Sequence, residues 1–149
     1  LENDVQSGTA RRIPIYSRSV NLKEAAGTYG IAVNEEGLIY VTAQNTKEIH
    51  IFDPKNIREG NSGFMYNSVS LGFENAPQSL AFIDNRLFVT LRINSKQSEL
   101  WEIDPSNGKL LQNYTASFTN PEKIMVSRRT LLVVDRGTQS IKAIPITDL

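Results

Sequence analysis

Apolar residues recur along this chain in short paired runs rather than at helical spacing. Gly30-Ile31-Ala32-Val33, Ser79-Leu80-Ala81-Phe82 and Lys123-Ile124-Met125-Val126 are each followed by a polar turn and a second run, Ile39-Tyr40-Val41, Leu87-Phe88-Val89 and Leu131-Leu132-Val133. Ile31, Leu80 and Ile124 lie 49 and 44 residues apart. A period of that length holds one four-stranded sheet and is too long for a helical hairpin repeat such as the tetratricopeptide. The chain is therefore expected to be a row of sheet units, or blades.

Each unit reads as short strands a to d in chain order. The pattern predicts strands over 30–34, 38–43, 48–53 and 65–71 in the first complete unit, and over 78–83, 86–91, 98–104 and 109–115 in the second. The last unit supplies three, over 122–127, 130–135 and 139–146. Polar tips join a to b at Asn34-Glu35-Glu36-Gly37, Asp84-Asn85 and Ser127-Arg128-Arg129-Thr130, residues that allow the positive φ of tight hairpins. Asp104-Pro105-Ser106-Asn107-Gly108 is a strong c-to-d turn, with Pro presetting φ and Gly accepting the left-handed residue. The matching turn at Asp53-Pro54-Lys55-Asn56 continues into a polar, glycine-bearing insertion over 57–63.

The two ends echo one another. Ile13-Pro14-Ile15 and Ile144-Pro145-Ile146 lie 131 residues apart, close to three repeats, so the first reads as strand c of a preceding blade with Val20-Asn21-Leu22 as its strand d. Pro14 and Pro145 lack the N–H that a central strand donates and are expected at bulges or interruptions of pairing. The expected division is a partial blade over 1–28, blades over 29–74 and 75–118, and a partial blade over 119–149.

Composition narrows the function more than it names it. With 149 residues, 40% hydrophobic and 21% charged, the chain is expected to be ordered and globular. Sixteen basic residues balance sixteen acidic ones, so no long-range field gathers nucleic acid or anionic lipid, and a nucleic-acid partner is disfavoured. Absence of cysteine removes disulfides, thiolate catalysis and cysteine metal sites. The longest aliphatic run, Leu131 to Val134, is far short of the roughly 20 residues that cross a bilayer as a helix, so no membrane span is expected. The chain opens on Leu1 without a charged-then-apolar leader, which fits a processed or excised segment.

Residues 29–54 and 119–146 resemble the NHL and YVTN families of β-propeller repeats. The likeness lies in Tyr-Gly-Ile-Ala-Val-Asn-Glu-Glu-Gly-Leu-Ile-Tyr-Val-Thr (29–42), Ile-His-Ile-Phe-Asp-Pro (49–54) and Leu-Leu-Val-Val-Asp-Arg-Gly-Thr-Gln-Ser-Ile (131–141). The middle unit, with Pro77, Leu87-Phe88-Val89-Thr90 and Ile103-Asp104-Pro105, resembles the YVTN variant. The resemblance implies an all-β fold: a β-propeller segment of antiparallel four-stranded blades, two complete and one partial at each end. Because closed propellers need about four to eight blades, the chain is either a segment of a longer propeller or one of several copies that assemble into a ring. The resemblance also implies a lean towards secreted, periplasmic or cell-surface proteins.

In such a fold the d-to-a and b-to-c connections gather at one end, where loops are spared the packing that commits the strands. The candidate binding residues there are Tyr29, Asn45, Asn75, Arg92, Asn94, Asn120 and Arg136, against which stands the fact that Asn, Thr and Gly are what turns are made of. Arg92 and Arg136 occupy similar places one blade apart, with Lys47 close to the equivalent place in the first blade. Glu74, Asn75, Asn120, Glu122 and Asp135 lie at the end where lactonase-type propellers hold Ca²⁺, but no motif fixes them and no metal is assigned. His50 is the one histidine, between Ile49 and Ile51 on a strand, and no Gly-x-Ser-x-Gly elbow occurs, so no catalytic residue and no cofactor are assigned. Trp101 aligns with His50 and Lys142 and reads as blade packing before contact anchor. Arg128 and Arg129 fall at the opposite end. Asn113-Tyr114-Thr115 fits the N-glycosylation sequon, relevant to a protein secreted by a eukaryote. The leading expectation is a non-enzymatic binding module, a scaffold for a protein, peptide or glycan partner that also self-associates or continues into further blades. The alternative implied by the resemblance is a fragment of a lactonase-like or lyase-like enzyme whose remaining site residues lie elsewhere.

Overall fold

The computed structural model describes residues 27–56, 58–60, 63–65 and 69–149, so the expected N-terminal partial blade, with its strands at Ile13-Pro14-Ile15 and Val20-Asn21-Leu22, lies outside the described residues. The first sheet holds β1 (Thr28–Val33), β2 (Ile39–Ala43), β3 (Glu48–Phe52) and, beyond a small hairpin of β4 (Arg58–Gly60) and β5 (Gly63–Met65), β6 (Val69–Gly72). The second runs β7 (Ala76–Ile83), β8 (Arg86–Asn94), β9 (Gln97–Ile103) and β10 (Leu110–Asn113) side by side. The third is three-stranded, β11 (Pro121–Ser127), β12 (Thr130–Asp135) and β13 (Ser140–Pro145). Neighbouring strands pair antiparallel throughout, and no α-helix occurs among the described residues.

Turn chemistry sets the registers. Asp84 and Asn85 both take positive φ, 49° and 61°, the twist a two-residue hairpin demands between Ile83 and Arg86. Asp104 holds the c-to-d turn by accepting from the Ser106 N–H at 2.8 Å and the Ser106 hydroxyl at 2.6 Å, while Gly108 sits at φ 76°. One expected span needs correction: strand d of the first blade is Val69–Gly72, not 65–71, because Gly63–Met65 pairs back on Arg58–Gly60. Arg58–Gly60 and Gly63–Met65 thus form a hairpin of their own.

Strand alternation divides the apolar residues between two seams. Tyr40 and Ile49 of the first blade meet Leu80, Leu87, Val89, Leu91 and Ile103 of the second. The opposite face of the second blade, through Ala81, Ile83, Phe88 and Leu100, meets Ile124, Leu131 and Val133 of the third. Nine of these fourteen residues are 0% or 1% exposed, so the seams are close-packed core.

Hydroxyls reinforce both seams at repeat-equivalent positions. The first strand of each blade, β1, β7 or β11, is its inner strand, and each breaks register near its start, between Thr28 and Ile31, Pro77 and Leu80, and Pro121 and Lys123. In the first two blades a buried threonine on strand b compensates. Thr42 Oγ1 accepts from the Gly30 N–H at 2.7 Å and donates across the seam to the Gln78 carbonyl at 2.7 Å. Thr90 Oγ1 accepts from the Ser79 N–H at 3.1 Å and donates to the Glu122 carbonyl at 2.9 Å. Ser79 Oγ adds a second latch, donating to the Ile124 carbonyl at 3.1 Å and accepting its N–H at 3.0 Å. At Gly30 a Cβ would overlap the Gln78 carbonyl, so the first seam closes over a position without a side chain.

Candidate binding rim

The b-to-c tips and d-to-a turns come together at one end of the blades. Gln44 N–H donates to the Gly27 carbonyl at 2.9 Å, and Arg136 N–H donates to the Asn120 carbonyl at 2.9 Å. In the third blade a buried carboxylate governs the arrangement. Asp135, 0% exposed, accepts from the Asn120 N–H at 2.7 Å, the Thr119 N–H at 3.0 Å and the Lys142 ammonium at 2.8 Å. Burial pushes its pKa up, but the Lys142 ammonium and the two backbone N–H groups outweigh that and hold it at about 2. Gly137 packs where a Cβ would meet Thr119, so the tip lies close against the turn.

Four polar side chains from two blades meet beside this turn. Glu122 Oε1 stands 3.3 Å from Arg136 Nη1 and 3.7 Å from Arg92 Nη2. With its amide oxygen turned to the guanidinium, buried Gln78 accepts from Arg92 Nε at 2.5 Å and Nη2 at 3.2 Å. Arg92 is thus oriented from below by Gln78 and from the side by Glu122, while it and Arg136 remain about half and two-thirds exposed. Two guanidiniums share one carboxylate, which leaves the cluster with a net positive charge. Further along, Lys123 Nζ lies 5.5 Å from the centroid of the Tyr29 ring, joining inner strands of the third and first blades.

The expected rim residues fall into two groups. Arg92 and Arg136 are joined through Glu122, and Asn120 is tied to Arg136 through the backbone. The Asn120 side chain is buried, and its Oδ1 has no hydrogen-bond partner among the described residues. Tyr29, 54% exposed, reaches the same region through Lys123. Asn94, by contrast, accepts from the Lys96 N–H at 2.9 Å and shapes its own hairpin. Asn45 lies against Gly27, and Asn75 is half-buried in the turn ahead of β7. Gln78, Glu122 in its bridging role and Lys123 escaped the sequence reading. Placing the repeats in register would have found the first two, since Tyr29, Gln78 and Glu122 occupy one position in three blades.

The remaining singled-out residues have structural surroundings. His50 is 2% exposed, with Nε2 3.7 Å from Glu48 Oε1. Trp101 packs on the first seam and donates Nε1–H to Glu99 at 2.7 Å. Arg129 pairs with Asp84 at 2.7 Å, tying two a-to-b tips at the far end. No group of three or more His, Cys, Asp or Glu side chains capable of holding a metal ion occurs among the described residues, and none of their helices is long and apolar enough to cross a membrane.

No family model and no curated protein matches the chain. Solved structures do. A protein of unknown function from Bacteroides caccae matches with a TM-score of 0.55 at 14% identity, over 80% of this chain and 46% of that one. BamB from Moraxella catarrhalis matches with a TM-score of 0.50 at 13% identity, over 79% of this chain and 33% of that one. The fold is propeller-like. At these identities the likeness shows the fold and nothing finer, and the chain spans less than half the length of either neighbour. The expected all-β architecture of antiparallel four-stranded blades is what the structure shows.

Proposed function

We propose that this chain is a non-enzymatic binding module built from NHL/YVTN-type repeats, and that its rim takes an acidic group of a protein, peptide or glycan partner. The observation that carries this is the pair Arg92 and Arg136, fixed about one carboxylate and still solvent-facing. Guanidiniums present several donors in a fixed fork, and Glu122 Oε1 occupies few of them. A partner carboxylate or sulfate approaching from solvent would find donors already oriented by Gln78 and Glu122, which lowers the ordering cost of binding. Tyr29 borders the same end and supplies an exposed aromatic face. A secreted, periplasmic or surface location is the setting that suits this reading.

The test is binding of acidic and neutral peptide or glycan arrays to the wild-type chain and to the Arg92→Ala/Arg136→Ala double variant. Retention of acidic probes by the wild type and loss by the double variant are expected, measured at a temperature where both are folded, because Arg92→Ala also strands the buried Gln78 amide. Retention by the double variant together with loss in Arg128→Ala/Arg129→Ala would place the binding face at the other end and refute the assignment.

A further inference from the structure

The rim cluster keeps an acceptor as well as donors. Both guanidiniums reach Glu122 through one oxygen, Oε1, at 3.3 Å from Arg136 Nη1 and 3.7 Å from Arg92 Nη2. Its second oxygen, Oε2, accepts no hydrogen bond among the described residues. On the donor side, Gln78 engages Arg92 through Nε and Nη2, which leaves Nη1, and Arg136 keeps Nε and Nη2. The Glu122 side chain is 22% exposed between its two partners, so solvent reaches the acceptor as well as the donors. Two positive charges against one negative leave a single positive charge. The three side chains thus suit a singly charged anion that carries a hydrogen-bond donor beside its charged group.

Few acidic groups of biological polymers meet both conditions. The carboxylate of an Asp or Glu side chain is flanked by a methylene, which donates nothing. A uronic acid carries its ring oxygen on the carbon beside the carboxylate, an acceptor that Glu122 repels. A sulfate ester joins its carbon through an oxygen, again an acceptor. The carboxylate that ends a peptide chain sits on a carbon that also bears an amide N–H, unless the last residue is Pro. Given the acidic-group reading of the rim, on which this depends, we infer that the ligand is the C-terminal carboxylate of a peptide chain. Arg92 and Arg136 take the carboxylate, and Glu122 Oε2 accepts the N–H of the same terminal residue. Glu122 is then a specificity-determining side chain and not only a prop for the arginines. Its charge makes that second contact a charge-assisted bond, stronger than a neutral one.

Retention of defined probes on the immobilised 149-residue chain, read by mass spectrometry, tests this. Three probes are pools of N-acetylated hexapeptides without Asp, Glu or Pro: one with a free C-terminus, one ending in an amide, and one with the last amide bond replaced by an ester. The fourth is the amide-ended pool with a single internal Asp or Glu, and the fifth is oligogalacturonate. The free C-terminus should be retained at least about tenfold more than any other probe, the scale of one hydrogen bond to a charged group. In Glu122→Gln the amide oxygen turns to the arginines and the N–H₂ meets the ligand N–H, so free C-terminus and ester should fall within about twofold of each other. The seam bond is untouched, because the Glu122 backbone carbonyl makes it. If the substitution instead weakens both probes alike and leaves their ratio intact, Glu122 is only a prop and the inference is overturned. Equal retention of ester and free C-terminus by the wild type, or a preference for the internal acid or oligogalacturonate, overturns it as well and leaves the acidic-group reading standing. Retention of no acidic probe overturns both.

Discussion

Asp135→Asn should strike the fold and the rim together. The carboxylate is fully buried and accepts two backbone N–H groups and an ammonium, all within 3.0 Å. An Asn side chain keeps the shape but offers one carbonyl oxygen, so its amide N–H₂ must face a donor. Charge-assisted hydrogen bonds contribute roughly 1.5–3 kcal/mol each, and stranding a buried partner costs more than the bond is worth. Lys142 is about a third exposed and can turn to water, which reduces its share. A loss of roughly 3 kcal/mol at pH 7 results, equivalent to a melting temperature lower by about 6–12 °C in a domain of this size. The pH dependence gives a second handle. The folded pKa, about 2, lies below the ordinary 3.8, so the group contributes full stability above the unfolded value and loses it as pH falls from about 4 through 2. At 1.36 kcal/mol per unit this is about 2 kcal/mol of the acid limb, and it should be missing in Asp135→Asn. Urea titrations at pH 7, 4 and 2.5 measure both effects. A variant within 0.5 kcal/mol of wild type at pH 7, with an unchanged acid limb, would refute the account.

Thr90→Val keeps the shape of a fully buried side chain and strands the Ser79 N–H and the Glu122 carbonyl, so it should cost about 2 kcal/mol in denaturant melts; Thr42→Val should behave alike, and a loss below 0.5 kcal/mol in both would remove the latch. Gly30→Ala forces a methyl onto the Gln78 carbonyl and should cost roughly 1–3 kcal/mol in the same assay, whereas a stabilised variant would mean that the seam is looser than the structure shows.

Architecture was legible because it rests on alternation and turn residues, both local. Asp84-Asn85 and Asp104 to Gly108 announce their turns without help from the rest of the fold. Strand d of the first blade was misplaced for a definite reason: Gly63-Phe64-Met65 is apolar enough for a sheet edge, and only its pairing with Arg58–Gly60 shows that the edge starts later. The rim was half legible. Arg92 and Arg136 stand out as cations at equivalent places one blade apart, although Arg92 proves to lie on β8 and only Arg136 in a turn, but what holds them is non-local. Gln78 sits in Ala-Pro-Gln-Ser-Leu-Ala-Phe-Ile, where a polar residue in an alternating strand gives no sign of an arginine 14 positions away. Asp135 could be seen as a carboxylate at the rim, yet its partners become neighbours only when the turn at Thr119 and Asn120 folds onto the β12–β13 hairpin that brings Lys142 beside it.

The latch also explains how one repeat can vary at its rim without losing its seam. Thr42 and Thr90 bond to the carbonyls of Gln78 and Glu122, not to their side chains. The break in each inner strand frees backbone groups for the neighbouring blade, and the hydroxyl satisfies an N–H that the local ladder leaves open. The latch therefore does not depend on which side chain stands at that position. Tyr29, Gln78 and Glu122 are as different as side chains become, an aromatic, an amide and a carboxylate, at the one place in the repeat where the backbone makes the tertiary bond in two of the three blades. Such a slot lets the side chain change from blade to blade while the seam beneath it stays the same.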